Sequence, residues 1–355
     1  MNKQKKSFVS ELLHNQMIIP IAAILLLVIF NLISDPSFFA IKLTHNNLGN
    51  PILSGNLISV IDFGSELAIL AIGMTLVTAA SGGQDISVGA GVAIAGSLIF
   101  KILRGNENTP AELHAPIILA FLAACLAGMA CGAFNGVLVA IFKIQPMVAT
   151  LILFTAGRSI ASWINMNANI VINDQTFAIF GGFIPGIPVP TPVFIAILCI
   201  IVAFLVLKFT NLGLYTQAVG INESSSRLNG LNTTLIKWVT FVILGLCVAV
   251  VSLIKVSRTG QLNYNGIAKN IEMDAILAVA LGGNALSGGK FNLGASILGA
   301  YAIQFLTTTL LKLKISSEAL PAYKAVVVIL LVVISAPTVR EKLSRMANKM
   351  KSKKS

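Results

Sequence analysis

The stretch GMTLVTAASGGQDISVGAGVAIAG, residues 73–96, decides the fold class, because two apolar runs meet at a glycine-rich turn that holds one acid. Four glycines surround Asp85, and they are Gly82, Gly83, Gly89 and Gly91. Glycine permits the tight backbone of such a turn, and apolar runs of roughly 20 residues are long enough to cross a membrane as helices. The stretch therefore predicts two membrane helices joined by a turn that contains Asp85 and Ser87.

The composition of the whole chain points to the same class. Of its 355 residues, 56% are hydrophobic and 11% are charged, whereas soluble domains carry about 25% charged residues. At about 20 residues per helix, there is room for roughly ten spans and for no large soluble domain. We therefore predict an all-α, polytopic membrane protein with about ten transmembrane helices.

The positions of the basic residues predict the topology. The candidate spans are residues 17–34, 57–80, 86–103, 116–142, 147–165, 191–208, 236–255, 271–283, 292–313 and 322–336. With both termini cytoplasmic, the cytoplasmic segments hold nearly twice as many Lys and Arg residues as the outer segments, as the positive-inside rule requires. This bias favours an even number of spans but does not separate ten from eight. The predicted organisation is a cytoplasmic tail at 1–16, a transmembrane domain at 17–336 and a basic cytoplasmic tail at 337–355.

Several classes of function are disfavoured by the sequence. The net charge of +12 lies largely in the two tails, so it indicates membrane topology rather than nucleic-acid binding. The chain has no G-x-x-x-x-G-K-[ST] nucleotide loop, no arrangement of nucleophile, histidine and acid, and no metal-ligand spacing. We predict no catalytic, metal or cofactor site and no nucleic-acid partner.

Two segments of the chain resemble each other. SGGQDISVGAGVAIAG, from residue 81, is similar to SGGKFNLGASILGA, from residue 287, with one residue deleted. Internal repeats are common in transporters, but Gly-Gly turns also recur by chance, so a repeat of two halves stays an open alternative. Both turns fall on the cytoplasmic side of the predicted topology.

A stripe of small residues marks one candidate span. Gly128, Gly132 and Gly136 recur every four residues, which lets another helix approach closely. Asn135 lies on the neighbouring face, where it can bond across helices or line a path.

The longest predicted cytoplasmic loop, residues 209–236, is predicted to contain a short helix. Asn222 is a candidate N-cap, the residues from Glu223 to Leu228, including Arg227, form the body, and Gly230 ends it. With Gly220, these residues offer a surface to a partner on the cytoplasmic side. An ordinary solvated loop is the alternative.

At this point a family resemblance becomes specific. The stretch at 73–96 resembles the GMTLVI…GGIDLSVG signature of the permeases of ribose-, xylose- and galactose-type ATP-binding-cassette (ABC) importers, with Gln84 where that signature has Ile. AVGINESSSRLNGLN, residues 218–232, is similar to their ATPase-contacting segment, although Ser225 and Ser226 replace its small apolar residues. Three further stretches extend the resemblance over residues 17–336 and towards galactofuranose permeases: KIQPMVATLILFTAGRSIA, EMDAILAVALGGNALSGGKFNLGASILGA and YKAVVVILLV.

The resemblance implies a multi-pass permease of the bacterial cytoplasmic membrane that imports a monosaccharide. Its implied partners are a separate ATP-binding subunit, an extracytoplasmic sugar-binding protein and a second permease subunit. An ion-coupled secondary transporter is one alternative, and a permease of the same fold for amino acids or nucleosides is another.

A sugar path needs polar groups that match hydroxyls, and the chain offers few within its spans. The candidates for the path or for a hinge are Gly82, Gly83, Asp85, Ser87, Gly89, Asn135, Gln145, Arg158 and Asn284. Ionisable residues inside a membrane are functional candidates by default. For Asp85, a structural role in the turn and a role in the path stay open. We expect Arg158 to pair with an acid, Asp62 and Glu66 to meet solvent or the binding protein, and Lys324 to reach the outer surface.

Overall fold

The computed structural model describes residues 17–45, 49–110 and 112–335, with side chains as far as 329. The predicted tails at 1–16 and 337–355 lie outside these residues. The helices of the described part are α1 (Ile18–Ser34), α2 (Asn56–Ser81), α3 (Val88–Arg104), α4 (Ile117–Ala140), α5 (Pro146–Ile164), α6 (Gln175–Ala178), α7 (Thr191–Phe209), α8 (Leu212–Ile221), α9 (Glu223–Leu228), α10 (Thr233–Thr259), α11 (Ile271–Leu281), α12 (Leu293–Lys312) and α13 (Leu320–Ser335).

Each of the ten predicted segments holds a helix of this set. In the described part of the chain, six helices are long and apolar enough to cross a membrane, and these are α2, α4, α5, α7, α10 and α12. The protein is therefore polytopic and mostly helical. The 11 residues of α11 rise only about 16 Å, which is too short for a hydrocarbon core of about 30 Å.

Three helices form the centre of the bundle. In their most apolar windows, α2, α10 and α12 each bury 67% of the residues, whereas α4 and α5 bury 28% and α7 buries 11%. The outer helices present apolar side chains such as Leu126 and Leu198, which are 67% and 62% exposed. A helix that is apolar all round is buried in protein or in lipid, so lipid or another subunit accounts for these outer faces.

One element departs from the all-α expectation. Strands β1 (Lys42–His45) and β2 (Pro51–Ser54) pair antiparallel, with Leu43 opposite Leu53. The Leu53 N–H also donates to the Pro188 carbonyl at 2.9 Å, which ties the hairpin to the segment before α7. The hairpin lies between two predicted spans, in a segment whose sequence has no apolar periodicity that would predict strands.

The glycine stripe of α4 faces α10. Gly128 lies against the carbonyl of Gly245, and Gly245 lies against the carbonyl of Gly128. Gly132 packs on the carbonyl of Phe241, and Gly136 on Trp238. Side chains at these positions would drive the two backbones apart, so the stripe is a helix-packing surface. Gly245, its partner on α10, was not singled out by the sequence.

Candidate translocation and coupling sites

The turn after α2 begins at Gly82, which has φ +66° and ends the helix through a 3.1 Å bond from its N–H to the Thr78 carbonyl. A left-handed C-terminal residue of this kind is normally glycine. Gly83 packs directly on the ring of Pro146, the first residue of α5. The turn is therefore held against the start of a second helix.

Asp85 is buried in this turn, with only 3% of its surface exposed. Its Oδ1 accepts the backbone N–H and the hydroxyl of Ser87, both at 2.7 Å, and its Oδ2 accepts the side-chain amide of Asn135 at 3.0 Å. The same amide donates to the Ser87 hydroxyl at 2.8 Å. The network joins the turn to α4 and leaves the carboxylate no exposed face.

The second Gly-Gly turn lies between α11 and α12 and is organised by Asn284. Its side chain donates to the Ser296 hydroxyl at 2.7 Å and accepts the N–H of Asn292 at 2.6 Å. Gly288 and Gly289 follow with φ +93° and +98°, a conformation that favours glycine. Ser296 also accepts the hydroxyl of Thr75 at 2.7 Å, so this turn is tied to α2 as well.

The two turns that resemble each other in sequence are in contact. The Gln84 amide donates to the Leu286 carbonyl at 2.9 Å, and the Gly289 N–H donates to the Ala79 carbonyl at 2.9 Å. Gly82 packs against the carbonyl of Ser287. Sequence similarity did not predict this contact, although the unusual Gln84 was a signal that the first turn had its own partner.

Helices α8 and α9 lie at the same end of the bundle. Gly220 of α8 packs on the Ala79 carbonyl and on the N–H of Gly289, the backbone groups that join the two turns. Asn222 then caps α9 by accepting the Ser225 N–H at 2.9 Å. The sequence missed α8 but located α9. Gly230, with φ +82°, follows the helix.

Glu223 connects α9 to α10. Its carboxylate binds Lys237 at 2.6 Å, Arg227 at 3.2 Å and the Thr233 hydroxyl at 3.3 Å. The hydrogen bond from Lys237 is the main reason that the pKa of Glu223 is lowered. Leu228, at the end of α9, is 90% exposed. This end of the molecule thus combines a fixed short helix with an exposed apolar side chain.

The comparisons with known proteins agree with this architecture. A family model described as the permease component of branched-chain amino acid transport systems matches residues 56–336. The galactofuranose transporter permease YtfT of Escherichia coli is 38% identical, over 89% of this chain and 88% of that protein. The fructose import permease FruF of Bifidobacterium longum is 34% identical over 97% and 94%, and the ribose import permease RbsC of Escherichia coli is 34% identical over 88% and 91%.

This chain belongs to the ABC-transporter permease family. Its relatives are transport subunits, so the permease is not an enzyme, and the resemblance seen in the motifs at residues 73–96 and 218–232 is confirmed. In the described part of the permease, no group of three His, Cys, Asp or Glu side chains could hold a metal ion.

Within the described part of the permease, Arg158 has no acid at ion-pair distance, although Glu272 packs on the same glycine, Gly89. Its guanidinium donates to the carbonyls of Tyr264, Asn265 and Ile267 at 3.0, 3.2 and 2.9 Å. These carbonyls belong to the segment between α10 and α11. Because the guanidinium is charged, its hydrogen bonds to them are stronger than neutral ones. Gly89 of α3 packs beside Arg158 and Glu272. Gln145 stands apart from these groups and is exposed before α5.

Other charged residues also have partners that the sequence did not reveal. Glu66 and Asp62 of α2 bind Arg258 of α10, the latter at 2.8 Å, and Glu66 binds Lys255 at 2.6 Å. Both acids join α2 to α10. The expectation that they meet solvent or a binding protein is wrong for Glu66, which is 2% exposed, and stays a prediction for the half-buried Asp62.

Lys324 also departs from its expected position. It pairs with Asp274 at 2.7 Å and is 7% exposed, so it joins α13 to α11 rather than reaching the surface. Asp274 lies in the first turn of α11, and no sequence pattern links it to Lys324.

Proposed function

We propose that the permease imports a monosaccharide of the galactofuranose, ribose or galactose type across the bacterial cytoplasmic membrane, driven by ATP hydrolysis on a separate subunit. The observation that carries the proposal is the contact of Gly220 of α8 with the end of α2, at Ala79, and with the second Gly-Gly turn, at Gly289. A partner that binds α8 and α9 and changes shape would move these turns, and with them the ends of α2, α3, α11 and α12. The sugar-permease relatives support the cargo.

The proposed topology has ten crossings with both termini in the cytoplasm. A helix occupies each of the ten segments, and the basic residues favour this orientation. The short α11 completes a crossing together with the segment before it. The contact between the two similar turns supports an internal repeat of two halves. The proposed partners are an ATP-binding subunit at α8 and α9, an extracytoplasmic sugar-binding protein and a second permease subunit, identical or not.

Within this function, we assign Asp85 a structural role. All of the hydrogen bonds of its carboxylate go to Ser87 and Asn135 of the same chain, and the group is buried between α3, α4 and α10. Asn284 holds the second turn in the same way.

Reconstitution in proteoliposomes tests the proposal. With the ATPase subunit and the binding protein present, we expect ATP-dependent uptake of one sugar from a panel of galactofuranose, galactose, ribose and fructose. Omission of the ATPase should abolish uptake. Uptake by this chain alone along an ion gradient would establish the secondary-transporter alternative.

A second cargo class is favoured by one observation, the description of the matching family model, which names branched-chain amino acids. Leucine and a nucleoside therefore belong in the same panel. ATP-dependent uptake of either one without sugar uptake would replace the monosaccharide assignment.

A further inference from the structure

Glu272 is a buried carboxylate that has no role in the proposed function. It lies in the first turn of α11 and is 3% exposed. Within the described part of the chain, its Oε2 atom accepts no hydrogen bond. Ionisable groups inside a membrane nearly always pair with one another or with backbone carbonyls, so this oxygen lacks the partner that its position calls for.

Arg158 of α5 carries a donor that is also free. Its three hydrogen bonds, to the carbonyls of Tyr264, Asn265 and Ile267, are all donated by Nη1. Among the described residues, Nη2 donates no hydrogen bond to a partner. One end of the guanidinium is therefore fixed to residues 260–270, the segment between α10 and α11, and the other end is free.

The free atoms of the two side chains approach the same point beside Gly89, the second residue of α3. A Cβ atom at Gly89 would lie 2.5 Å from Oε2 of Glu272 and 3.3 Å from Nη2 of Arg158, so at most the sum of the two, 5.8 Å, separates these atoms. The same Cβ would lie 2.8 Å from the Ala268 carbonyl. Glycine at this position therefore keeps the space beside the donor and the acceptor clear.

The carboxylate of Glu272 is held without a counter-ion in contact. It lies beside the N–H of Gly89 at the start of α3 and in the first turn of its own helix, and the partial positive charge at helix N-termini stabilises an anion. Opposite charges attract strongly where the dielectric constant is low. A rotation of the Arg158 side chain would thus exchange its bonds to carbonyls for a bond to Glu272.

This exchange would require the segment 260–270 to move. Buried carbonyls that lose a donor need another one, so the segment cannot keep its position once Arg158 has left it. The two residues next to Arg158 are also attached to the Gly-Gly turns, because α3 with Gly89 follows the first turn and α11 with Glu272 precedes the second. A movement of the turns would therefore change the distance between Arg158 and Glu272.

We propose that Glu272 is a positioning residue of the transport cycle, which receives Arg158 when the segment 260–270 changes position. The inference rests on the proposed function, because an importer alternates between at least two conformations of its bundle. Packed elements of this kind switch between discrete arrangements. The structure holds Arg158 on the carbonyls, and the other arrangement holds it on Glu272.

Two double-mutant cycles in the assembled transporter test the proposal. The first combines Glu272→Gln with Arg158→Gln. The control cycle combines Asp274→Asn with Lys324→Gln, a pair that is in contact in the structure at 2.7 Å. Each cycle gives one interaction from Tm in detergent and one from ATP-dependent uptake in proteoliposomes.

We expect Glu272→Gln to lower uptake roughly tenfold or more, the size of a typical coupling between two states, and to change Tm little. The double variant with Arg158→Gln should transport no worse than the poorer single variant. In this cycle the larger interaction should appear in uptake, and in the control cycle it should appear in Tm. Normal uptake by Glu272→Gln, or a cycle that resembles the control, would show that Glu272 only stabilises the fold.

A second measurement does not depend on sugar uptake. The four native cysteines are replaced by alanine, and Asn265→Cys is labelled with an environment-sensitive maleimide to report the position of the segment. ATP with vanadate should change the emission of this parent and should leave that of its Glu272→Gln variant unchanged. An equal change in both would overturn the exchange. A parent whose probe responds to ATP but which takes up no sugar of the panel would overturn the proposed function and leave the exchange standing.

Discussion

The side-chain amide of Gln84 donates a 2.9 Å hydrogen bond to the backbone carbonyl of Leu286. This bond joins two turns that are 202 residues apart in the chain and that resemble each other in sequence. Gln84 stands where the family signature has an aliphatic residue. The residue that differs from the signature therefore has a structural role, because its side chain donates to a carbonyl that lies outside the helices.

Replacing Gln84 by the aliphatic residue tests this bond. Gln84→Ile removes the donor and leaves the Leu286 carbonyl without it, so we expect a loss of about 1 kcal/mol in the free energy of unfolding. In detergent this should appear as a fall of a few degrees in Tm. Gln145→Ile is the control, because Gln145 is exposed and its side chain makes no capping bond. Equal shifts for the two variants would contradict the role of Gln84.

Exchange of Asp85 and Asn135 tests the buried network. Asp85→Asn places an amide donor against the amide of Asn135 or forfeits a bond to Ser87, which should cost about 1–3 kcal/mol. Adding Asn135→Asp restores a donor facing an acceptor, so the double variant should recover part of the lost Tm.

The same pair separates structure from transport. If Asp85 holds the turn, uptake falls with stability and returns in the double variant. A single variant with normal Tm and no uptake would instead place Asp85 in the sugar path.

Two glycines of the cytoplasmic loop should respond differently to alanine. A Cβ at Gly220 would meet the Ala79 carbonyl, so Gly220→Ala must displace α8 from the end of α2 and from the second turn. Around Gly230 nothing lies within 4 Å of an added Cβ, and alanine suffers only the strain of φ +82°, about 1–2 kcal/mol.

We therefore expect Gly220→Ala to abolish ATP-driven uptake or assembly with the ATPase subunit, and Gly230→Ala to retain both. Co-purification and uptake assays measure these effects. Normal uptake by a well-assembled Gly220→Ala complex would show that coupling does not pass through this contact.

The ion pairs between α2 and α10 should contribute strongly to stability. Among the described residues, Arg258→Gln leaves Asp62 without an ion pair and the buried Glu66 with Lys255 alone, and breaking a buried pair on one side costs about 3–5 kcal/mol. The Lys312–Asp35 pair is more exposed, at 24% and 47%, so Lys312→Gln should cost far less. Thermal unfolding in detergent compares the two. A similar fall in Tm for the two variants would show that burial does not set the strength of these ion pairs.

The position of α9 should depend on the charge of Glu223. Because its folded pKa lies below the ordinary value of 4.5, its ion pairs are fully present above about pH 4.5 and are lost as pH falls below it. Between pH 6 and 8 the pairs are intact. Glu223→Gln removes them at any pH, and we expect trypsin to cleave faster after Arg227 in this variant. Ser224→Ala on the same helix is the control. A cleavage rate unchanged by Glu223→Gln would show that the Asn222 cap alone holds α9.

The sequence by itself determined the fold class, the approximate positions of the ten helices, the family and the short helix α9. These are local properties: apolar length sets a span, Asn222 caps one turn of helix, and consecutive glycines permit a turn.

Tertiary structure alone decided which of these residues meet. Arg158 binds carbonyls of the segment 260–270, Lys324 pairs with Asp274, and Gln84 reaches Leu286. Each partner comes from a helix or segment far away in sequence, and several are backbone atoms that every residue possesses. No residue pattern marks a carbonyl as unsatisfied, because that depends on where the neighbouring helices end and which of them pack together.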